Sequence, residues 1–192
     1  SLGKIGTLSE GMALGLKYGF DSGISLDYVY HNQAKGKFGI GKVIDKGYLE
    51  AIGWRGIRIR KQHLLTLLEK NIQDIQSSGR KVKILDIAGG TGNYLFDIKE
   101  RYTDVEIVIN EFVESNISLG EKIIHQKGYS HIRFTNFDCF DPKTYQLINF
   151  EPNITIISGI FELFGDNQLT NKAVQGIVSI SEENSHIVYT GQ

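Results

Sequence analysis

Apolar positions along the chain change their spacing once, near residue 80. Before that point, residues 1–47 carry short apolar groups broken by Gly, Ser, Asn and Lys. Within them MALGLKYGF predicts one or two helical turns, because each glycine in a helix interior costs about 1 kcal/mol. A clearer helical period follows. From Ile57 onward, Leu64, Leu65, Leu67, Leu68, Ile72 and Ile75 recur at helical spacings, and Ser77, Ser78 and Gly79 supply a stop. The second rhythm begins with KVKILDIAGG, a nearly continuous apolar run ending in glycines, as expected of a central parallel strand entering a tight turn. NYLFDIKERY predicts a helix, VEIVINEF a second strand and ESNISLGEKIIHQKG a second helix with Ile117, Ile123 and Ile124 on its apolar side. HIRFTNF gives a third strand and FDCFDPKTYQLINFEPN a loop with a short helix. NITIISG gives a fourth strand, NQLTNKAVQGIVSI a helix and SHIVYTG a fifth strand. Strands separated by helices of this size predict βαβ crossovers and a mostly parallel sheet over residues 80–192. Residues 1–79 then form a largely helical flank before it.

The most informative local signal is Asp86-Ile87-Ala88-Gly89-Gly90-Thr91-Gly92 at the end of the first strand. Small residues let the backbone turn sharply and let a ligand approach without meeting a Cβ. The free amides of the following helix favour an anionic or carbonyl-bearing ligand group, and the Asp86 carboxylate can accept from loop amides or attract an ammonium. A phosphate-cradling loop needs Gly-Lys-Ser/Thr, and no lysine follows Gly92. A dinucleotide fingerprint needs a third glycine where Leu95 stands, which disfavours nicotinamide binding.

Later strand ends repeat the theme. Glu111, beside Phe112, is an acceptor placed for the two hydroxyls of a ribose edge. After the third strand, Asp138 can accept from an adenine amino group while Phe137 or Cys139 forms an apolar wall. After the fourth come Ser158, Gly159 and Glu162. Each position also has an ordinary structural reading: a packing turn, a solvated glutamate, a capping aspartate. Their recurrence at strand ends points to a ligand crevice, since ligands of open parallel sheets lie beyond the carboxyl ends of the strands.

Composition narrows the picture. Hydrophobic residues make up 41% and charged residues 22% of the 192, the balance of an ordinary globular domain. A net charge of -1 gives no general bias toward nucleic acid or anionic membrane. One cysteine, Cys139, allows no internal disulfide and suggests a reducing, cytoplasmic setting. The opening stretch has no apolar run of signal or spanning length. The five histidines, at 31, 63, 125, 131 and 186, show no short metal-ligand spacing, so no metal site is expected.

These residues resemble a known family. Asp86 through Gly92 is similar to the class I S-adenosylmethionine-dependent methyltransferase motif of acidic residue, x, Gly, x, Gly, x, Gly, with Gly90 and Gly92 matching its second and third glycines. Ala88 replaces the first glycine, beside the added Gly89. Glu111 matches the family's ribose-binding acid and Asp138 the acid near the adenine. A narrower resemblance runs through GFDSGISLDYVYHNQ, IGWRGIRIRKQHL, LDIAGGTGNY, IISGIFELF and HIVYTGQ, which look like the methyltransferase domain that follows an α/β-hydrolase domain in some bacterial proteins. No G-x-S-x-G elbow occurs, so hydrolysis is not carried over. The resemblance implies a Rossmann-like α/β three-layer sandwich of strand order 3-2-1-4-5. It further implies S-adenosyl-L-methionine as cofactor, S-adenosyl-L-homocysteine as product and Asp86, Ala88, Gly89, Gly90, Gly92, Glu111 and Asp138 as cofactor-binding residues, to which strand-end placement adds Phe112, Cys139 and Ser158. A complete core of this class has seven strands, so the five here imply a C-terminally truncated core that is either covered at its fifth-strand edge by another subunit, in a homo-oligomer, or only marginally stable.

On the acceptor side, Tyr28, Tyr30 and His31 bring polar-tipped side chains together. Trp54, Arg55, Arg58, Arg60 and Lys61 place basic groups beside an aromatic, suited to a carboxylate or phosphate. The same residues also suit a solvated helix face. Residues 1–79 are therefore the candidate substrate lid, Tyr28, Tyr30, Arg55 and Arg58 the candidate substrate residues, and Tyr30, His31 and Glu162 the candidate catalytic groups. The acceptor expected is a small or lipid-like molecule. A non-catalytic adenosyl-ligand-binding or interaction domain is the competing reading, and an NAD-dependent oxidoreductase the third.

Overall fold

A computed structural model of the chain describes residues 7–165 and 167–190; Gly191 and Gln192, which end the last segment of the resemblance, lie outside the described residues. The chain divides into two compact units, Ser1–His63 and Leu64–Gln192.

The first unit contains helices α1 (Glu10–Tyr18), α2 (Gly23–His31) and α3 (Phe38–Leu49), followed by the opening of the long helix α4 (Ile52–Ser77). The helical flank expected from sequence is thus fuller than one short helix. Ser9 caps α1 by accepting from the Met12 amide, and Ser22 caps α2 by accepting from Ser25. Gly11 and Gly15 are tolerated within α1 because aromatic rings occupy the space a side chain would need. A Cβ on Gly11 would lie 2.4 Å from the Tyr48 ring, and one on Gly15 2.2 Å from the Phe20 ring. Tyr28, Val29 and Leu49 form the apolar centre, with Leu14, Tyr48, Trp54 and Ile57 packed around them.

Asp45 is fully buried in this unit and accepts four hydrogen bonds. They come from Ser9 Oγ at 2.6 Å, the Gly11 amide at 2.9 Å, the Lys35 amide at 2.8 Å and the Tyr28 hydroxyl. Burial raises its carboxyl, but the bonds from Ser9, Tyr28, Gly11 and Lys35 outweigh burial and hold it below the ordinary aspartate value.

The second unit is built on five parallel strands: β1 (Lys83–Ile87), β2 (Glu106–Asn110), β3 (Ile132–Thr135), β4 (Ile154–Ile157) and β5 (His186–Tyr189). Their order is β3-β2-β1-β4-β5, as expected. Helices α5 (Asn93–Arg101), α6 (Glu114–Lys127) and α7 (Asn167–Ile180), with a 3-10 helix over Pro142–Ile148, complete a Rossmann-like three-layer sandwich. Strand periodicity feeds both faces. Ile84, Ile107, Ile109, Ile154 and Ile156 share one core with Leu64, Leu68, Ile72, Tyr94 and Leu95. Leu85, Ile87, Val108 and Ile157 share the other with Tyr145, Ile177 and Ile180. Burial on both faces explains why these strands read as continuous apolar runs instead of alternating ones.

The register aligns the strand ends. Ile87 lies opposite Asn110 of β2 and Ile157 of β4, so the next residues of each strand leave the sheet at one level. At the β5 end, Val188 is buried whereas Ile187 and Tyr189 are 42% and 73% exposed.

Candidate functional site

The glycine loop leaves β1 through three positive-φ residues. Ala88 has φ 61°, Gly90 φ 61° and Gly92 φ 75°, and Gly92 opens α5. Ala88 therefore occupies a left-handed conformation that favours glycine. The Gly89 amide donates to the Asn110 carbonyl at 3.1 Å, which fastens the loop to β2. A Cβ on Gly89 would stand 2.5 Å from Asp86 Oδ2 and 2.6 Å from Ile109 Cγ2, so the loop backbone rests directly on the Asp86 carboxyl group.

Asp86 belongs to the face of β1 that packs beneath α5. It is buried, and the Tyr94 hydroxyl, from the first turn of α5, donates to its Oδ2. Oδ1 is buried with no hydrogen-bond partner among the described residues. Burial pushes the carboxyl up to about 7, the Tyr94 hydrogen bond opposes that rise and the Glu111 charge adds to it.

Glu111 is buried just past β2 and binds two backbone amides. Gly90 donates to Oε2 at 2.8 Å and Val113 donates to Oε1 at 2.8 Å. Each oxygen of a carboxylate has acceptor capacity beyond one such bond. The residue proposed from sequence for a ribose edge also ties the glycine loop to the segment leading into α6. Phe112, next to it, is 76% exposed.

Asn110, to which the sequence reading assigns no role, closes β2. It is buried, its Nδ2 donates to the Phe137 carbonyl at 3.1 Å and its Oδ1 accepts from the Phe137 amide at 2.9 Å. It thereby sets the path of the segment carrying Asp138 and Cys139. A polar residue closing the apolar run VEIVI was the available signal. Asp138 is exposed and its Oδ1 accepts from the Phe140 amide at 2.9 Å. Cys139 is buried, and burial followed by the Asp138 charge pushes its thiol up to about 11. Such a thiol is overwhelmingly protonated near neutral pH, which suits an apolar wall and not a nucleophile.

At the end of β4, Ser158 Oγ accepts from Thr190 Oγ1 at 3.1 Å, and the Gly159 amide donates to the same Thr190 oxygen at 3.2 Å. Thr190, just after β5, is a second residue that the strand-end reading passed over. Glu162 is exposed on a single 3-10 turn, Phe161–Leu163. The strand register and these bonds gather Asp86, Glu111, Asp138, Cys139 and Ser158 at the carboxyl ends of neighbouring strands.

The candidate substrate residues, and the candidate catalytic groups Tyr30 and His31, lie in the first unit. Tyr28 is buried, and burial together with Asp45 raises its phenol well above the ordinary range. Tyr30 is half-buried with Lys61 Nζ 5.0 Å from its ring centroid. His31 is exposed, and its Nδ1 lies 2.7 Å from the Asp27 carbonyl. Arg58 donates to the Leu49 carbonyl at 2.9 Å, satisfying the end of α3, while Arg55 is exposed.

The profile of the family described as Putative methyltransferase matches residues 1–192. YnbC, an uncharacterized protein of Escherichia coli (strain K12), is 39% identical over 189 residues, covering 97% of this chain and 32% of that protein. The chain spans about a third of the length of this curated relative. An O-methyltransferase family protein from Burkholderia thailandensis matches with a TM-score of 0.50 at 12% identity, over 76% of this chain and 43% of that one. The bifunctional kinase-methyltransferase WbdD matches with a TM-score of 0.50 at 15% identity, over 63% of this chain and 27% of its own. Both structural likenesses are likenesses of fold. Among the described residues, no helix is long and apolar enough to cross a membrane.

Proposed function

This chain belongs to that methyltransferase family, and we propose that it binds S-adenosyl-L-methionine at the strand ends of its second unit and transfers the methyl group to an acceptor by direct displacement. The observation that carries the reading is Glu111, an acidic acceptor at the end of β2 that is already bonded to the glycine loop through Gly90. Two further observations support the fit. Gly89 leaves the loop backbone bare over Asp86, and Asp86 Oδ1 is a buried acceptor without a partner.

When bound, the cofactor supplies a sulfonium methyl carbon open to attack by a nucleophile. The work of the chain is to bind and orient. In this reading Glu111 accepts from the ribose hydroxyls. Phe112 and Cys139 give apolar contact to the adenine, and Asp138 accepts from its amino group. The backbone of Ala88, Gly89, Gly90 and Gly92 faces the amino-acid part, with Asp86 beneath it, and Ser158 bounds the site at β4. Orientation and exclusion of water supply a large share of the acceleration in such a displacement.

Calorimetric titration of the chain with S-adenosyl-L-homocysteine tests the reading, with Glu111→Ala as the matched control. Saturable binding that weakens about 10- to 100-fold in the variant is expected, the range for losing charge-assisted hydrogen bonds. No binding by a folded wild-type chain would overturn it. Transfer of labelled methyl to an acceptor separates an enzyme from a binding-only domain, since the two share the calorimetric result.

A further inference from the structure

We propose, resting on the adenosyl reading above, that Asp86 and Tyr94 form a proton-exchanging counter-ion for a ligand that carries an ammonium group. Asp86 holds a proton while no cation faces it. When the ammonium of the ligand's amino-acid part settles on the loop, the carboxyl ionises and its proton passes to solvent. The exchange balances as a neutral carboxylic acid plus an alkylammonium giving a carboxylate-ammonium pair plus one free proton. The ligand keeps its own protons, and nothing is oxidised or reduced.

Geometry carries the inference. Among the described residues, an ionised Asp86 would have only the Tyr94 hydroxyl as partner, on Oδ2, and would leave charge on a buried Oδ1 that accepts from none of them. A buried charge without a partner is expensive, so the group neutralises or awaits a cation. The titratable groups bearing on it are the Tyr94 phenol from α5 and the Glu111 carboxylate after β2, and neither is a cation. Its register partners in the two flanking strands, Ile109 and Ile156, are apolar. The Gly89 backbone lies on the carboxyl with no side chain between, so a cation seated on the loop would act on Asp86 at short range.

Tyr94 is a positioning residue in this arrangement. Its hydrogen bond favours the ionised form, against burial and the Glu111 charge. It sets the pH at which the exchange operates.

The test is calorimetric titration in buffers of different ionisation enthalpy. With S-adenosyl-L-homocysteine, release of about half a proton per ligand is expected near pH 7, rising toward one near pH 6 and vanishing well above 8, because the free carboxyl titrates at about 7. 5′-Methylthioadenosine, which keeps the adenosine but lacks the amino-acid part, should release none. Asp86→Asn should abolish release by S-adenosyl-L-homocysteine. Tyr94→Phe should move the release profile to higher pH, whereas a merely structural Tyr94 would change affinity and leave the profile in place. In the ligand-free chain, carbon-13 NMR should show the Asp86 carboxyl, assigned with the Asn variant, titrating far above the ordinary aspartate range. Ordinary titration there, heats independent of buffer, or equal release by 5′-methylthioadenosine would overturn the inference while leaving the adenosyl reading intact. A chain whose Asp86 titrates near 7 but which binds no S-adenosyl-L-homocysteine overturns that reading, and the exchange with it.

Discussion

Gly120 in α6 lies so close to Thr91 of the glycine loop that a Cβ on it would stand 2.7 Å from the Thr91 carbonyl oxygen and 2.3 Å from the Phe134 ring. A backbone oxygen cannot swing aside, so the helix reaches the loop only where a side chain is missing. Gly120→Ala should push α6 away from Thr91 at a cost of about 1–3 kcal/mol, the range for overpacking. Urea unfolding measures the cost, and a parallel titration should show weaker S-adenosyl-L-homocysteine binding. Unchanged stability would mean that helix and loop are not packed as described.

Ala88 offers a change of opposite sign. With φ at 61°, it holds a conformation that is easy for glycine and strained for alanine. Ala88→Gly relieves that strain, and its gain is partly offset by the greater freedom of glycine in the unfolded chain. A net stabilisation of about 1 kcal/mol is expected, read as a higher midpoint in thermal unfolding.

Asp45 governs the first unit. Asp45→Ala leaves the Ser9 hydroxyl, the Gly11 amide and the Tyr28 hydroxyl without their acceptor, while the Lys35 amide keeps only the Tyr28 oxygen, at 2.9 Å. A loss of at least about 3 kcal/mol is expected, since each buried unsatisfied group carries its own desolvation cost. Amide hydrogen exchange across Ser9–Leu49 should rise accordingly. The pH dependence follows from the lowered carboxyl. The unfolded chain takes up a proton first as pH falls, so the contribution of Asp45 is fully present above the ordinary value of 3.8 and is lost as pH drops through the lower folded value. Asp45→Asn should remove that acid-side slope.

The three central strands were legible because they are buried on both faces and end in turn residues. KILDI, EIVIN and ITII are read from composition alone, and strand order then follows from the resemblance. Glu111 was legible as an acid at a strand end, but its second task, holding Gly90 and Val113, depends on loop geometry that spacing does not encode. Tyr94 reads as one more aromatic at a helix start, and only its contact with Asp86 gives it a role. The first unit was the least legible. Its glycines argue against helices until the rings of Tyr48 and Phe20 are seen to fill their places, and Asp45 finds partners as far as 36 residues away.

The strand order also sets a timetable for synthesis. β1, β2 and β3 add outward in the order in which they leave the ribosome, so Asp86, Glu111 and Asp138 can come together while β4 is still being made. The other edge of β1 stays open until the chain returns, as the bond between Lys83 and Asn153, 70 residues apart, records. That closure of a long loop is the slow contact of the sheet, because its entropy is lost before its pairing is gained. A nascent chain therefore carries three of the strand ends that bear the candidate site for some time with one side of its central strand bare, and this is the interval in which it most needs protection from other strands.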